Sequence, residues 1–215
     1  MSTPTRAWTP AHSRALTRHP LIALNFHHIA PASRAAAARQ IRAAAAAGVG
    51  FDLDAAPAGD AEPGRPRVLV AFYDGLSDTG RFGAKLCAEL GLRAYFFPIE
   101  APVHGHPVFD DDELAAIGAV HEVGFHTAGH AAAAEITAAN LDAEVRAPYD
   151  RIRAVTGRAP RIAAWRGGTR FDPALLGNQV LRELGVTHLV SNWSVETLAA
   201  ELMPSAAGLT HGRLS

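Results

Sequence analysis

The sequence lacks features that are typical of disulfide-rich, nucleic-acid-binding and membrane-spanning proteins. Its single cysteine, Cys87, rules out an internal disulfide framework. A formal net charge of −1 gives no electrostatic case for binding nucleic acid. No stretch reaches the roughly 18 apolar residues that a membrane span needs, and residues 1–18 lack the continuous apolar core of a signal peptide. From these absences we expect a cytoplasmic protein without membrane contact.

The residues that are present are sufficient for a folded core. Hydrophobic residues make up 48% of the chain and charged residues 19%, which is the composition of a globular protein. A chain of 215 residues most simply forms one domain. We therefore expect an irregular lead-in over residues 1–19 and one domain over residues 20–215.

Short apolar runs alternate with helical patterns along the chain. The predicted strands are 21–26, 68–72, 93–97, 122–125, 161–165 and 187–191. The predicted helices are 32–47, 80–90, 110–119, 131–156 and 173–184. This alternation is typical of the α/β class with parallel strands, arranged as an open sheet or a barrel. In both arrangements the functional site gathers at the carboxyl ends of the strands.

Three residues with metal-binding side chains follow predicted strands. Asp74 comes after the run 68–72, and His126 and His130 stand four residues apart after the run 122–125. A carboxylate and two imidazoles form a ligand set suited to a divalent metal that keeps positions open for water and substrate. The simpler alternative is a turn aspartate and two hydrogen-bonded histidines. We favour metal binding because separate motifs agree.

Two motifs resemble those of a known family. Residues 71–75 read Ala-Phe-Tyr-Asp-Gly, and residues 120–130 read Val-His-Glu-Val-Gly-Phe-His-Thr-Ala-Gly-His. They are similar to the Thr-Phe-Asp-Asp-Gly and His-Ser/Thr-x-x-His motifs of the polysaccharide deacetylase family, the carbohydrate esterases with a NodB homology domain. The resemblance extends from about Leu21 to Trp193. It implies an irregular (β/α)7-type barrel.

The resemblance also implies a metal centre and an activity. Asp74, His126 and His130 take the places of the family's metal ligands. The implied ion is zinc, with cobalt, manganese or nickel as alternatives. The implied activity is a metal-dependent hydrolase that removes acetyl groups from an N- or O-acetylated carbohydrate, or acts on a related small amide. A homo-oligomer is left open.

The sequence departs from the family at the catalytic base. Tyr73 stands where the family has the aspartate that serves as general base. A phenol with an ordinary pKa of about 10 is a poor base at neutral pH, but it can donate a hydrogen bond to a developing oxyanion. His27 and His28, in a segment that looks like the family's Tyr-His-x-Val, are the candidates to replace the base.

The remaining motifs are altered as well. Arg166 follows Trp165 without the family's proline, and Trp193 lacks the acidic residues that normally precede it. The family arginine holds the aspartate base, so Arg166 is free to bind a substrate anion instead, and the two tryptophans are candidate substrate-binding residues or plain core aromatics. His211 matches the family's Leu-x-His motif, which supplies a histidine acid. No apolar strand precedes His211, so we expect that the domain can lack its last strand.

Two alternatives to the deacetylase follow from these departures. The first is a pseudoenzyme that keeps the fold and the metal and binds carbohydrate without turnover. The second is a cyclic-amide hydrolase that uses the same fold with altered motifs.

Overall fold

The computed structural model describes residues 21–54, 65–102, 105–191 and 194–198. Its strands in these ranges are Leu21–Phe26 (β1), Val49–Gly50 (β2), Arg67–Asp74 (β3), Tyr95–Pro98 (β4), Glu122–Val123 (β5), Ile162–Ala164 (β6), His188–Val190 (β7) and Val195–Thr197 (β8). Its α-helices are Arg34–Ala47 (α1), Ser77–Glu89 (α2), Asp111–Val120 (α3), Ala147–Thr156 (α4) and Leu176–Glu183 (α5). None of the described helices is long and apolar enough to span a bilayer.

The strands form two sheets that meet at one backbone bridge. The first sheet runs β1-β3-β4-β5 with all pairs parallel, and the short β2 also pairs with β3. The second sheet runs β6-β7-β8, with β8 antiparallel. Phe125, just after β5, exchanges backbone hydrogen bonds with Ile162 and Ala164 of β6. The bridge continues the curved sheet from one part to the other.

Alternate residues of the central strand enter two different cores. Val68, Val70 and Phe72 of β3 pack outward against the helices. Leu69 and Ala71 point to the opposite side, into a cluster shared with β4, β6, β7 and β8. A strand buried on both faces is typical of a sheet that curves round its own interior and is covered by helices. The apolar run 68–72 therefore reflects burial on both sides.

Helix boundaries follow local chemistry. Asp110 caps α3 through its side chain, which accepts from the Glu113 N–H at 2.8 Å, and Glu113 bonds back to the Asp110 N–H. Helix α4 ends at Gly157, whose φ of 70° lies in the left-handed region that glycine tolerates. Helices α3 and α4 pack side by side.

The predicted strands and most predicted helices are confirmed within a few residues, but the long helix over 131–156 is wrong. That segment begins with a 3-10 turn at Ala133–Glu135, and its helical part starts at Leu141. The Glu135 side chain accepts from the Ala132 N–H, and the Asn140 side chain accepts from the Thr137 N–H. These side chains take the place of helical hydrogen bonds, which overrides the helix propensity of the alanines.

The contact between α2 and β3 gives a test of the packing. A Cβ added at Gly83 would lie 2.2 Å from Phe72 Cζ, and the Phe72 ring is itself stacked between Phe26 and Phe96. We expect Gly83→Ala to lower the free energy of unfolding by about 1–3 kcal/mol, because overpacking exceeds the gain in helix propensity. Urea unfolding measures it. Lys85→Ala, on the exposed side of the same helix, is the control and should change stability little.

Candidate metal centre

Polar side chains from several strand ends meet at one edge of the sheet, around a small pocket. Asp74 ends β3, His27 follows β1, His126 follows β5, and Arg166 follows β6. The pocket has about 40 Å³ of room for water, which is enough for only a few molecules. Its lining includes His27, Tyr73, His126, His130, Arg166 and Ser191. The predicted concentration of site residues at the carboxyl ends of the strands is thus observed.

Three of these side chains offer a ligand set. The Asp74 Oδ1 atom lies 3.3 Å from His130 Nε2 and 4.0 Å from His126 Nε2. In the described ranges, these residues form a group whose ligand atoms all lie within 4.8 Å of one another. Asp74 Oδ1 is buried and has no hydrogen-bond partner. A buried oxygen without a donor, facing two imidazole nitrogens, fits a bound cation.

The state of His126 also fits. Burial, together with the neighbouring charges of His130 and His27, lowers the pKa of His126 to about 3. The ring is therefore neutral at physiological pH, which is the form that ligates metals. The Thr127 N–H lies 3.0 Å from His126 Nδ1, and the opposite ring nitrogen, Nε2, faces Asp74.

The backbone is strained at two of the three residues. Asp74 has a φ of 65° and His130 a φ of 61°, and among the described residues they are the non-glycine positions with positive φ. Such conformations cost about 1–3 kcal/mol each and persist where the surroundings enforce them, often at functional sites. The next residue, Gly75, is also left-handed, and a Cβ there would lie 2.9 Å from Pro98 Cα.

Tyr73 is packed tightly beside the ligand set. Its ring stacks on Phe97 and on His27, each with 5.1 Å between ring centroids. Its hydroxyl donates to Asn25 Oδ1 at 3.1 Å. Burial, together with the negative charge of Asp74, raises the pKa of Tyr73 well above its ordinary value. The phenol therefore stays protonated at neutral pH and cannot take a proton from water.

The other predicted site residues lie at or outside the edge of the pocket. His28 lies outside the pocket lining and stacks on His106, with 4.4 Å between ring centroids. Arg166 lies on the rim, where Nη2 is 2.5 Å from Glu135 Oε1, and this contact lowers the pKa of Glu135. A substrate anion at Arg166 would compete with that carboxylate.

Trp165 is both a pocket-lining residue and a core aromatic, the two roles considered from its sequence position. It borders the pocket but is 2% exposed, and Nε1 donates to Asn178 Oδ1 at 2.8 Å. Trp193 and His211 lie outside the described residues.

The sequence reasoning missed three residues that support the site. Asn25 is a polar residue inside an otherwise apolar strand, a signal that could have marked it. Asn178 is buried within α5 and Glu135 sits in the segment predicted as helix, so no local signal indicated their partners.

Comparison with known proteins decides the family. Residues 60–189, more than half of the chain, match the family model described as polysaccharide deacetylase. The chain belongs to the polysaccharide deacetylase family. No curated protein sequence matches it significantly.

Solved structures of several deacetylases share the fold. IcaB from Ammonifex degensii is 18% identical with a TM-score of 0.63, over 80% of this chain and 84% of IcaB. The Streptococcus pyogenes deacetylase PplD, solved with acetate, is 13% identical with a TM-score of 0.65, over 86% of this chain and 88% of PplD. The BpsB deacetylase domain from Bordetella bronchiseptica is 15% identical with a TM-score of 0.60, over 80% of this chain and 88% of the BpsB domain. These similarities confirm the predicted barrel.

The Trp165 contact can be tested by mutation. Asn178 is 1% exposed, accepts from Trp165 Nε1, and donates to the Asp172 carbonyl at 3.0 Å. We expect Asn178→Ala to reduce the free energy of unfolding by about 1–3 kcal/mol, because buried polar groups lose their partners. Urea unfolding gives the value. Gln179→Ala removes a bond to the Pro173 carbonyl near the surface, and an equal loss there would contradict the interpretation.

Proposed function

We propose that this protein is a metal-dependent hydrolase that removes acetyl groups from an N- or O-acetylated carbohydrate. The buried Asp74 oxygen that faces two imidazoles without a hydrogen bond carries the proposal. Membership of the polysaccharide deacetylase family supports the reaction class. The resemblance of PplD, a deacetylase solved with acetate, supports the acyl group.

Asp74, His126 and His130 would hold the ion, with zinc as the expected metal. A divalent ion at such a site acts as a Lewis acid on the acyl carbonyl and lowers the pKa of coordinated water towards about 7. The small polar pocket, which His126 and His130 line, has room for water and a small acyl group. The sugar itself would remain in the open mouth, beside Arg166.

Tyr73 would orient water and would not deprotonate it. Its hydroxyl proton is directed to Asn25 Oδ1, so the lone pairs of the phenol oxygen are left to accept a hydrogen bond. Its raised pKa keeps that proton in place at neutral pH. The family's aspartate would accept a proton at this position, and the tyrosine supplies a fixed acceptor instead.

His27 would act as the general base and take the proton of the attacking water, because Tyr73 cannot accept it. Its ring lies against the Tyr73 ring and lines the same pocket as His126 and His130. A histidine positioned as a general base contributes about 10²–10⁴-fold to a rate. His28 faces His106 and takes no part.

Metal content tests the centre. We expect about one zinc, cobalt, manganese or nickel ion per chain in gently purified protein, measured by elemental mass spectrometry. His126→Ala should lose the metal, because a three-residue site does not retain it with two ligands. His28→Ala removes an exposed histidine outside the pocket and should keep the metal. Equal metal content in both variants, or none in the wild type after incubation with the four ions, would refute the centre.

Turnover tests the base. With an acetylated chitooligosaccharide or an acetate ester as substrate, His27→Ala should lower kcat by about 10²–10⁴-fold while the metal stays bound. His28→Ala should leave kcat within a few-fold of the wild type. Unchanged kcat in His27→Ala would exclude His27 as the proton acceptor. It would not contradict the proposed metal centre.

The buried, protonated Tyr73 favours a second candidate, a pseudoenzyme that keeps the metal but has lost catalysis. Tyr73→Asp distinguishes the two. If the wild type binds metal without turnover and Tyr73→Asp gains activity, the missing base is the only defect and the pseudoenzyme is correct. The variant loses a ring stacked between Phe97 and His27, so its stability has to be measured alongside.

A further inference from the structure

The loop that carries both histidines is tied to a helical segment that the proposed chemistry does not use. The Gly129 N–H donates to Glu144 Oε2 at 2.8 Å. The Ala128 N–H donates to the Glu144 carbonyl at 3.3 Å. Glu144 therefore accepts hydrogen bonds from two of the three residues that separate His126 from His130.

Glu144 lies in an irregular turn of helix. Residues Asp142–Arg146 form a π-helix directly before α4. Such turns are rare, and they occur frequently at functional sites. Here the irregular turn contains the residue that contacts the histidine loop, which connects the unusual backbone to the site.

Gly129 leaves room for the Glu144 carboxylate because it has no side chain. A Cβ added at this position would lie 2.6 Å from Glu144 Oε1 and 3.3 Å from Oε2. A side chain at this position would therefore require the carboxylate to shift. Alanine at position 129 would push the Glu144 side chain away from the loop.

His130 is less enclosed than His126. Its side chain is 33% exposed, whereas that of His126 is 2% exposed, and its backbone has the strained φ of 61°. His126 is held by burial and by the Thr127 N–H. The loop conformation at Gly129, one residue before His130, is held by Glu144.

We propose that Glu144 is a positioning residue for the metal ligands, one that holds the loop of residues 126–130 so that His130 faces Asp74. It touches neither the ion nor the substrate and acts through the backbone of Ala128 and Gly129. The inference rests on the metal centre proposed above. Groups that orient ligands in this way typically change metal affinity about 10–100-fold when removed.

Zinc affinity, measured by competition with a chromophoric chelator, tests the proposal on the full chain. We expect Glu144→Ala to bind zinc about 10–100-fold more weakly than the wild type. Glu144→Gln keeps an acceptor oxygen and should bind within a few-fold of the wild type. Asp142→Ala, at a fully exposed position of the same π-helix, should not change the affinity. The visible spectrum of the cobalt form, which reports the geometry of the ligands, should change in Glu144→Ala and should not change in Glu144→Gln or Asp142→Ala.

Two further measurements separate positioning from a loss of stability. They are the zinc affinity of Gly129→Ala and the thermal unfolding of the metal-free proteins. Gly129→Ala displaces the carboxylate without removing it and should weaken zinc binding as Glu144→Ala does. A loss of affinity with an unchanged metal-free Tm supports positioning. Wild-type affinity and an unchanged cobalt spectrum in Glu144→Ala overturn it while leaving the metal centre intact. A wild type that binds no zinc or cobalt overturns the centre itself, and this inference with it.

Discussion

The arrangement of the strand ends depends on one buried carboxylate. Asp74 places an oxygen without any hydrogen bond against two imidazole nitrogens, at the end of a strand buried on both faces. A buried carboxylate of this kind is unfavourable unless a partner compensates it. The neutral His126 cannot supply that charge, since its pKa is far below neutral. The left-handed backbone at Asp74 and His130 is the conformation that brings these groups together.

Two layers of packing hold this arrangement. The outer core fixes β3 against the helices through Val68, Val70 and Phe72, while the inner core fills the interior of the curved sheet. Side chains at the strand ends are therefore positioned by rigid elements. The histidine loop is the exception, because it extends beyond β5 and depends on hydrogen bonds from its neighbours.

The sequence predicted that Asp74, His126 and His130 come together, because they lie next to apolar runs whose ends a parallel sheet gathers at one edge. It predicted the strands well, since burial on both faces produces continuous apolar runs. It could not predict the break at 131–140, because Glu135 and Asn140 replace helical hydrogen bonds through side chains that look ordinary in a helix. Nor could it place Asn25 against Tyr73, or Arg166 against Glu135, because those contacts join residues distant in the chain.

The stacking of Tyr73 has an evolutionary consequence. Tyrosine and aspartate codons differ at a single nucleotide, so exchange between this residue and an acidic base is within reach of one mutational step. The flat ring fills the space between Phe97 and His27, and an aspartate would leave much of that space empty. Packing therefore opposes an exchange that the genetic code permits.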